Sequence, residues 1–109
     1  MRQGKVFLNN IYAGLLKEEP GKGYTFTYDE LFFADKTLPA ISLTLPKSQK
    51  EYHSPFLFPF FSNMLSEGYN RRLQSIIHHV DETDDFGILL ATAHSDTPGA
   101  VTIKKEPNE

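Results

Sequence analysis

The sequence predicts an α+β fold in which a small antiparallel sheet comes first and helices follow. Two changes in the pattern of apolar residues support this prediction. Apolar residues recur at every second position in the first half of the chain and at every third or fourth position after Pro59, which are the periods of strands and helices. An alternating run near the C-terminus then returns to strand character. We expect a sheet of about five strands, which could curl toward a barrel, with two to three helices between the fourth and the last strand.

The first three strands are expected to form a meander. The runs at residues 5–8 and 11–16 flank Asn9-Asn10, an arrangement that is typical of a hairpin. A third run at residues 24–28 (YTFTY) alternates aromatic residues with Thr. It follows residues 20–23 (PGKG), whose glycines allow positive φ angles. This segment lacks the spacing of a phosphate-binding loop, so we interpret it as a hairpin turn.

A fourth strand is expected at residues 40–45 (AISLTL), where alternating apolar residues lie between two prolines. Before it, residues 29–36 begin with an Asp that could cap a single helical turn. Their apolar residues are too continuous to define one face, so we interpret this segment as a short turn or loop. After the strand, residues 47–53 show no periodicity and are assigned to a solvated connection.

Three helical segments are predicted after Pro59. In the first, the apolar stripe consists of Phe60, Phe61, Met64 and Leu65, and Gly68 is placed to end or kink the helix. The second resumes at Asn70 and ends at His78-His79; its apolar face is expected to consist of Leu73, Ile76 and Ile77, with Arg71, Arg72 and Gln74 outside. The third begins at the Asp84-Asp85 cap and should be mostly buried against the sheet and the second helix through Phe86, Ile88, Leu89, Leu90, Ala91 and Ala93.

The C-terminal part is expected to close the sheet. Residues 96–99 (DTPG) are typical of a turn, and residues 100–104 (AVTIK) alternate like a strand. The domain is therefore assigned to residues 1–104 and a polar tail to residues 105–109.

The composition limits the classes of function. A length of 109 residues with 39% hydrophobic residues is ordinary for one globular domain. A net charge of -3 argues against direct nucleic-acid binding, which draws on a basic face. Because cysteine is absent, the chain has neither disulfides nor thiolate sites. The N-terminus lacks the apolar core of a signal peptide, and no segment approaches the ~20 apolar residues that cross a bilayer, so we expect a soluble cytoplasmic protein.

No catalytic constellation is found at a recognisable spacing. The sequence contains no G-x-S-x-G, no H-E-x-x-H and no kinase-type catalytic Asp loop. A group of His and Asp residues is close in sequence, but neighbouring histidines on a helix point in different directions, so we interpret the group as helix caps and not as a metal site: His78, His79, Asp81, Asp84 and Asp85. We therefore predict a chain that is not an enzyme and holds no cofactor.

Short motifs follow one another in a characteristic order along nearly the whole chain: AGL at 13–15, FTY at 26–28, PAISLTLP at 39–46, FFSNMLSEG at 60–68, DFGILL at 85–90 and PGAV at 98–101. Together they resemble the small N-terminal subdomain of HipA-family serine/threonine kinases. The family commonly has Pro at the position of Ser66.

The resemblance implies a function through a partner. In full-length members of the family this subdomain is followed in the same chain by a kinase core with the ATP and metal sites. The present sequence ends at Glu109, and so looks like the free-standing HipS-like members of HipBST toxin–antitoxin systems. There the separate kinase HipT is the toxin and HipB binds DNA. The implied function is a non-catalytic antitoxin that binds and neutralises a HipT-like kinase, with a HipB-like protein as a further candidate partner. The alternative is a subunit that completes or activates a split kinase in trans.

The predicted partner-binding site lies just past the helix break and comprises Ser66, Glu67, Tyr69, Asn70, Arg71 and Arg72. Tyr and Arg are enriched at interface hot spots. We expect Tyr69 to be the aromatic anchor and the other residues to make polar contacts. The alternative interpretation is that Tyr69 folds back onto its own helix and that the two arginines form a solvated face.

Overall fold

The computed structural model describes residues 2–94 and 100–106, without the side chain of Glu106. It confirms the α+β fold with an antiparallel sheet of five strands in the order β4-β3-β2-β1-β5. The strands are β1 (Arg2–Leu8), β2 (Ile11–Glu19), β3 (Gly23–Tyr28), β4 (Glu51–Ser54) and β5 (Val101–Glu106). The described part of the chain has four helices: α1 (Glu30–Ala34), α2 (Pro59–Ser62), α3 (Gly68–His78) and α4 (Asp85–Thr92). The last three lie between β4 and β5, as expected.

The predicted meander is confirmed. Asn9 and Asn10 both have positive φ angles, of 50° and 68°, which suits a two-residue turn between right-handed twisted strands. At the second turn, Gly21 and Gly23 also have positive φ angles. A side chain at Gly23 would collide with the carbonyl oxygen of Ser54 on β4. The glycine is therefore needed for both the turn and the close approach of the edge strand.

The barrel-like form is wrong, because the sheet is open, with β4 and β5 at its two edges. The position of the fourth strand is also wrong. Residues 40–45 form turns and bends, and the strand instead lies at Glu51–Ser54, whose first three residues belong to the segment assigned to a solvated connection. β4 is a short edge strand that pairs with β3, from Thr27↔Glu51 to Tyr24↔Ser54.

Residues 40–45 are held as a loop by the hydroxyl group of Tyr28. This side chain is buried, accepts a hydrogen bond from the backbone nitrogen of Ile41 at 3.1 Å and donates one to the carbonyl oxygen of Leu45. Ile41 and Leu45 are buried, whereas Leu43 between them is fully exposed. The alternating apolar residues thus belong to a loop that packs on the core, and not to a strand of the sheet.

Replacing Tyr28 with phenylalanine is expected to destabilise the domain by ~1–3 kcal/mol, since it leaves a buried N–H and a buried carbonyl without their partner. Tyr52→Phe is the matched control, because its hydroxyl donates to the carbonyl oxygen of Pro46 at 2.6 Å in an exposed position where water can substitute. Urea unfolding at neutral pH measures both free energies. Equal losses in the two variants would contradict the anchoring role of Tyr28.

The bounds of the first three helices differ from those that were predicted. α1 occupies residues that were interpreted as a short turn or loop, and Asp29 caps it as the sequence allowed, by accepting a hydrogen bond from the backbone nitrogen of Phe32 at 3.4 Å. α2 is a single turn that ends at Ser62, before the predicted end of the stripe. Gly68 does not end a helix as predicted; with φ of 62° it is the first residue of α3. The break between α2 and α3 is where it was expected, but Gly68 lies on its C-terminal side.

The core lies between one face of the sheet and the helices α2 and α4. It contains the predicted stripe, with Phe61 fully buried and the remaining members partly buried against it: Phe60, Met64 and Leu65. α4 begins at the predicted Asp84 cap, whose side chain accepts from the backbone nitrogen of Gly87 at 3.1 Å. The burial expected along α4 is confirmed, with Ala91 half-buried and the other predicted residues buried.

The C-terminal strand is confirmed and runs through Glu106, two residues into the segment assigned to the tail. The turn predicted at residues 96–99 lies outside the described residues. Within the described ranges, no helix combines the length and the apolar character needed to cross a bilayer.

Candidate partner-binding site

Helix α3 turns its apolar side toward solvent. None of its residues is fully buried, and four large side chains are exposed: Tyr69 (74%), Leu73 (37%), Ile76 (62%) and Ile77 (66%). Their spacing of four, seven and eight positions from Tyr69 places them on one side of an α-helix. We call these four residues the α3 apolar face. Leu73, Ile76 and Ile77 thus share one face, as predicted, and Arg72 is exposed. The placement of Arg71 and Gln74 on the outer side is wrong, because both are half-buried.

The side of α3 that faces the domain is polar. The Arg71 side chain is only 17% exposed. Its Nε donates to the carbonyl oxygen of Glu82 at 2.8 Å, and its Nη2 donates to Oδ1 of Asp85 at the start of α4. Gln74, also half-buried, donates from Nε2 to Oγ of Ser66 at 3.4 Å. Polar contacts thus fasten α3 to the rest of the domain and leave its apolar side available.

The C-terminal end of α3 is fixed by a backbone reversal at His79. His79 adopts a left-handed conformation with φ of 56°. The next backbone nitrogen, that of Val80, donates to the carbonyl oxygen of Ser75 at 3.0 Å. Val80 then packs beside α4, since a Cβ on Gly87 would lie 2.8 Å from Cγ1 of Val80. This arrangement ends the helix with a Schellman-type cap and brings the chain back to the core.

The structure separates the six predicted site residues into two groups. Ser66 and Arg71 are half-buried and bond within the domain. The other four are exposed: Glu67, Tyr69, Asn70 and Arg72. Of these, Tyr69 belongs to the α3 apolar face. Arg72 flanks that face, and its Nε is 3.9 Å from Oε1 of Glu82.

Three residues of the α3 apolar face were not among the predicted site residues: Leu73, Ile76 and Ile77. Periodicity identified them as one face, but a periodic pattern does not say whether the domain or a partner covers that face. A signal was present on the opposite side of the helix, where Arg71, Gln74 and Ser75 are types able to bond polar groups of a neighbouring helix.

Helix α4, against which α3 packs, is tied to the sheet by Arg2. The Arg2 guanidinium binds Oε1 of Glu18 and Oδ2 of Asp84, each at 2.8 Å. It also lies 5.4 Å from the ring centroid of Phe86. These contacts join β1 and β2 to the N-terminus of α4, against which α3 rests. The hydrogen bonds from Arg2 are the main reason why the pKa of Asp84 is lowered.

The lowered pKa of Asp84 predicts acid sensitivity. A lowered folded-state pKa adds stability above the unfolded-state value of about 4, and this contribution is lost as the pH falls through the folded-state pKa. Asp84→Asn should therefore be less stable than the wild type at neutral pH, with a difference that shrinks in acid. Asparagine preserves the helix cap, so the comparison reports on the charge.

Urea unfolding of both proteins from pH 7 down to pH 2.5 checks this prediction. Glu51→Gln is the control, because the Glu51 side chain is exposed and its carboxylate accepts a surface hydrogen bond from the hydroxyl group of Thr27. A stability difference for Asp84→Asn that stays constant across this range would contradict the proposed charge contribution.

Four of the His and Asp residues grouped in the sequence line a cleft of about 390 Å³: His78, His79, Asp81 and Asp84. There, Asp84 is bonded to Arg2, and Asp81 accepts from the backbone and hydroxyl groups of Thr83 at 2.8 and 2.7 Å. Among the residues that the structure describes, no three His, Asp or Glu side chains are placed to hold a metal ion. The geometry here is that of helix caps and a turn.

Comparisons with known proteins agree with the resemblance. The HipA N-terminal domain family matches residues 4–104. An uncharacterized protein of Haemophilus influenzae is 35% identical over 106 residues, which are 97% of this chain and 94% of that protein. A solved structure of the N-terminal domain of HipA toxin superposes with a TM-score of 0.75 at 30% identity, covering 100% of this chain and 96% of that chain. The match thus extends over sequence and fold alike, and the chain belongs to the HipA N-terminal domain family.

Proposed function

We propose that this chain is a HipS-like antitoxin that binds a separately encoded HipT-like serine/threonine kinase and neutralises it. The observation that carries the proposal is the α3 apolar face, exposed on a domain of the HipA N-terminal domain family. In the full-length kinases that the chain resembles, this domain is joined to a kinase core. A domain of this family with an uncovered apolar helix suits a partner that supplies the missing surface.

The chemistry of α3 supports a protein partner. Contiguous exposed apolar surface, rimmed by polar residues, marks interaction sites on proteins. Tyr69 is a suitable anchor because its ring is large and it keeps a hydroxyl for a polar contact. Arg72 and Asn70 supply a polar rim. The proposed binding mode is a helix laid with its apolar residues into a groove of the kinase.

In this proposal the chain contributes binding, and the kinase contributes the ATP and metal sites. Covering a catalytic cleft, or holding it in an unproductive form, needs no reactive group on the inhibitor. A HipB-like DNA-binding protein is a further proposed member of the complex. It would act through the kinase or through another surface of this domain.

The test is the autophosphorylation of a HipA-like kinase that lacks this domain and is encoded beside the chain. Purified kinase is incubated with labelled ATP, with and without an equimolar amount of the chain, after co-purification has established binding. Inhibition is the expected result. Stimulation would overturn the antitoxin role in favour of a subunit that activates the kinase in trans. Failure of the two chains to bind each other would exclude both functions.

A further inference from the structure

Arg71 differs from its neighbours on α3 because its side chain contacts the domain and not solvent. Although it lies between Asn70 and Arg72 in the predicted contact segment, its side chain is mostly covered. It bonds to two groups of the same domain: the carbonyl oxygen of Glu82, in the loop after α3, and the carboxylate of Asp85, in the first turn of α4. One planar guanidinium therefore bridges α3, the following loop and α4.

The rest of the contact between α3 and the domain offers little apolar burial. α3 has no fully buried residue, and its apolar face points away from the domain. A helix of eleven residues is marginal by its own propensity, and most helices in proteins are stabilised by packing of an apolar side. Since α3 lacks that packing, its position depends on polar contacts to an unusual degree.

We infer that Arg71 is a positioning residue for the α3 apolar face and not a contact residue for the partner. This inference rests on the proposed function, because it concerns the same binding surface. Arg71 acts through Asp85 and Glu82: its bonds set the fraction of molecules in which α3 is formed and correctly oriented. Partner affinity falls in proportion when that fraction falls. The side chain itself stays beneath the helix in the complex.

Arg72 is the matched control. It is the neighbouring arginine on the same helix, but its side chain is 69% exposed and its nearest carboxylate is 3.9 Å away. Replacement of either residue by alanine removes the same charge and keeps a good helix former. The two variants therefore differ in whether the lost side chain held α3 or only flanked its outer face.

The first measurement needs no partner: amide hydrogen exchange along residues 68–78 in the free chain. Arg71→Ala and Asp85→Ala should both raise exchange rates within α3, while rates in the central strands stay unchanged and Arg72→Ala leaves α3 protected. Unchanged α3 exchange in Arg71→Ala would overturn the inference.

The second measurement is a double-mutant cycle on kinase binding. Arg71→Ala and Asp85→Ala should each weaken affinity by about tenfold, as for a tenfold drop in the competent fraction. The double variant should bind no more weakly than either single one, because both changes break the same link. Arg71→Lys, which retains the charge but not the planar fork, should recover part of the affinity.

Additive losses from Arg71→Ala and Asp85→Ala would show that the two side chains act independently, and would overturn the inference in favour of direct contact with the kinase. If the wild-type chain binds no kinase, the proposed function fails, whereas the role of Arg71 in holding α3 is still decided by the exchange rates. The two failures are thus distinguishable.

Discussion

Replacing Ile76 with aspartate is expected to weaken kinase binding by at least ~100-fold, or about 2.7 kcal/mol, while the free domain stays folded. Ile76 belongs to the α3 apolar face and is largely exposed. Surface substitutions of this kind change stability by about 0.5 kcal/mol or less. In the complex, however, the new carboxylate would be buried without a partner, which is strongly unfavourable. Calorimetric titration of the kinase and thermal unfolding of the free variant measure the two effects.

Leu31→Asp is the matched control for this prediction. Leu31 is also a highly exposed aliphatic residue on a helix, but it lies on α1. This variant is expected to keep wild-type affinity. Normal binding by Ile76→Asp, or equal losses in the two variants, would remove α3 as the docking surface.

Replacing Phe61 with alanine is expected to destabilise the domain by about 3–5 kcal/mol, the usual range for a buried phenylalanine. Phe61 is fully buried, and its ring centroid lies 5.2 Å from that of Phe60 and 5.9 Å from that of Phe26. It thus joins α2 to the inner face of β3. Since domains of this size have a total stability of about 5–15 kcal/mol, the variant should be partly unfolded at 37 °C.

Phe56→Ala separates burial from residue type in the same urea unfolding experiment. Phe56 precedes α2 by a few residues and is largely exposed, so its removal should change the free energy of unfolding by no more than about 0.5 kcal/mol. A loss for Phe61→Ala comparable to that of Phe56→Ala would mean that α2 does not belong to the cooperative core.

The elements that were predicted correctly are those with strong local signals. The meander rests on turn residues that need positive φ, namely Asn9, Asn10, Gly21 and Gly23. α4 follows from a capping aspartate before a dense apolar run. In these places the short-range preference and the tertiary contacts agree, so the sequence pattern alone is sufficient.

The fourth strand was misplaced because alternating apolar residues do not show whether a segment pairs with a neighbouring strand. The apolar residues of 40–45 are spaced as in a strand, but the hydroxyl of Tyr28 satisfies the backbone at Ile41 and Leu45 and makes a ladder unnecessary. β4 is an edge strand with exposed and half-buried residues in alternation. Its apolar signal is too weak to be seen in the sequence.

The predicted site residues lie at and just before the start of α3, but the sequence did not show which of their side chains bond within the domain. Tyr69, which was predicted to be an aromatic anchor, is exposed in the domain. Arg71 was placed on the outer side of the helix, but its side chain bonds within the domain, because the helix packs through its polar side. That choice depends on Asp85 and on the carbonyl oxygen of Glu82, which come within reach of α3 only once the chain has folded back.

Because α3 exposes its apolar side, it also limits the concentration at which the chain stays monomeric without a partner. An apolar helix side left in water promotes self-association, and this tendency rises with concentration. Molecules beyond the supply of partner would therefore pair or aggregate through the same four residues that are proposed to meet the kinase. Co-expression would raise the soluble yield of both chains, and the ratio in which the two are synthesised becomes part of the physical chemistry of the system.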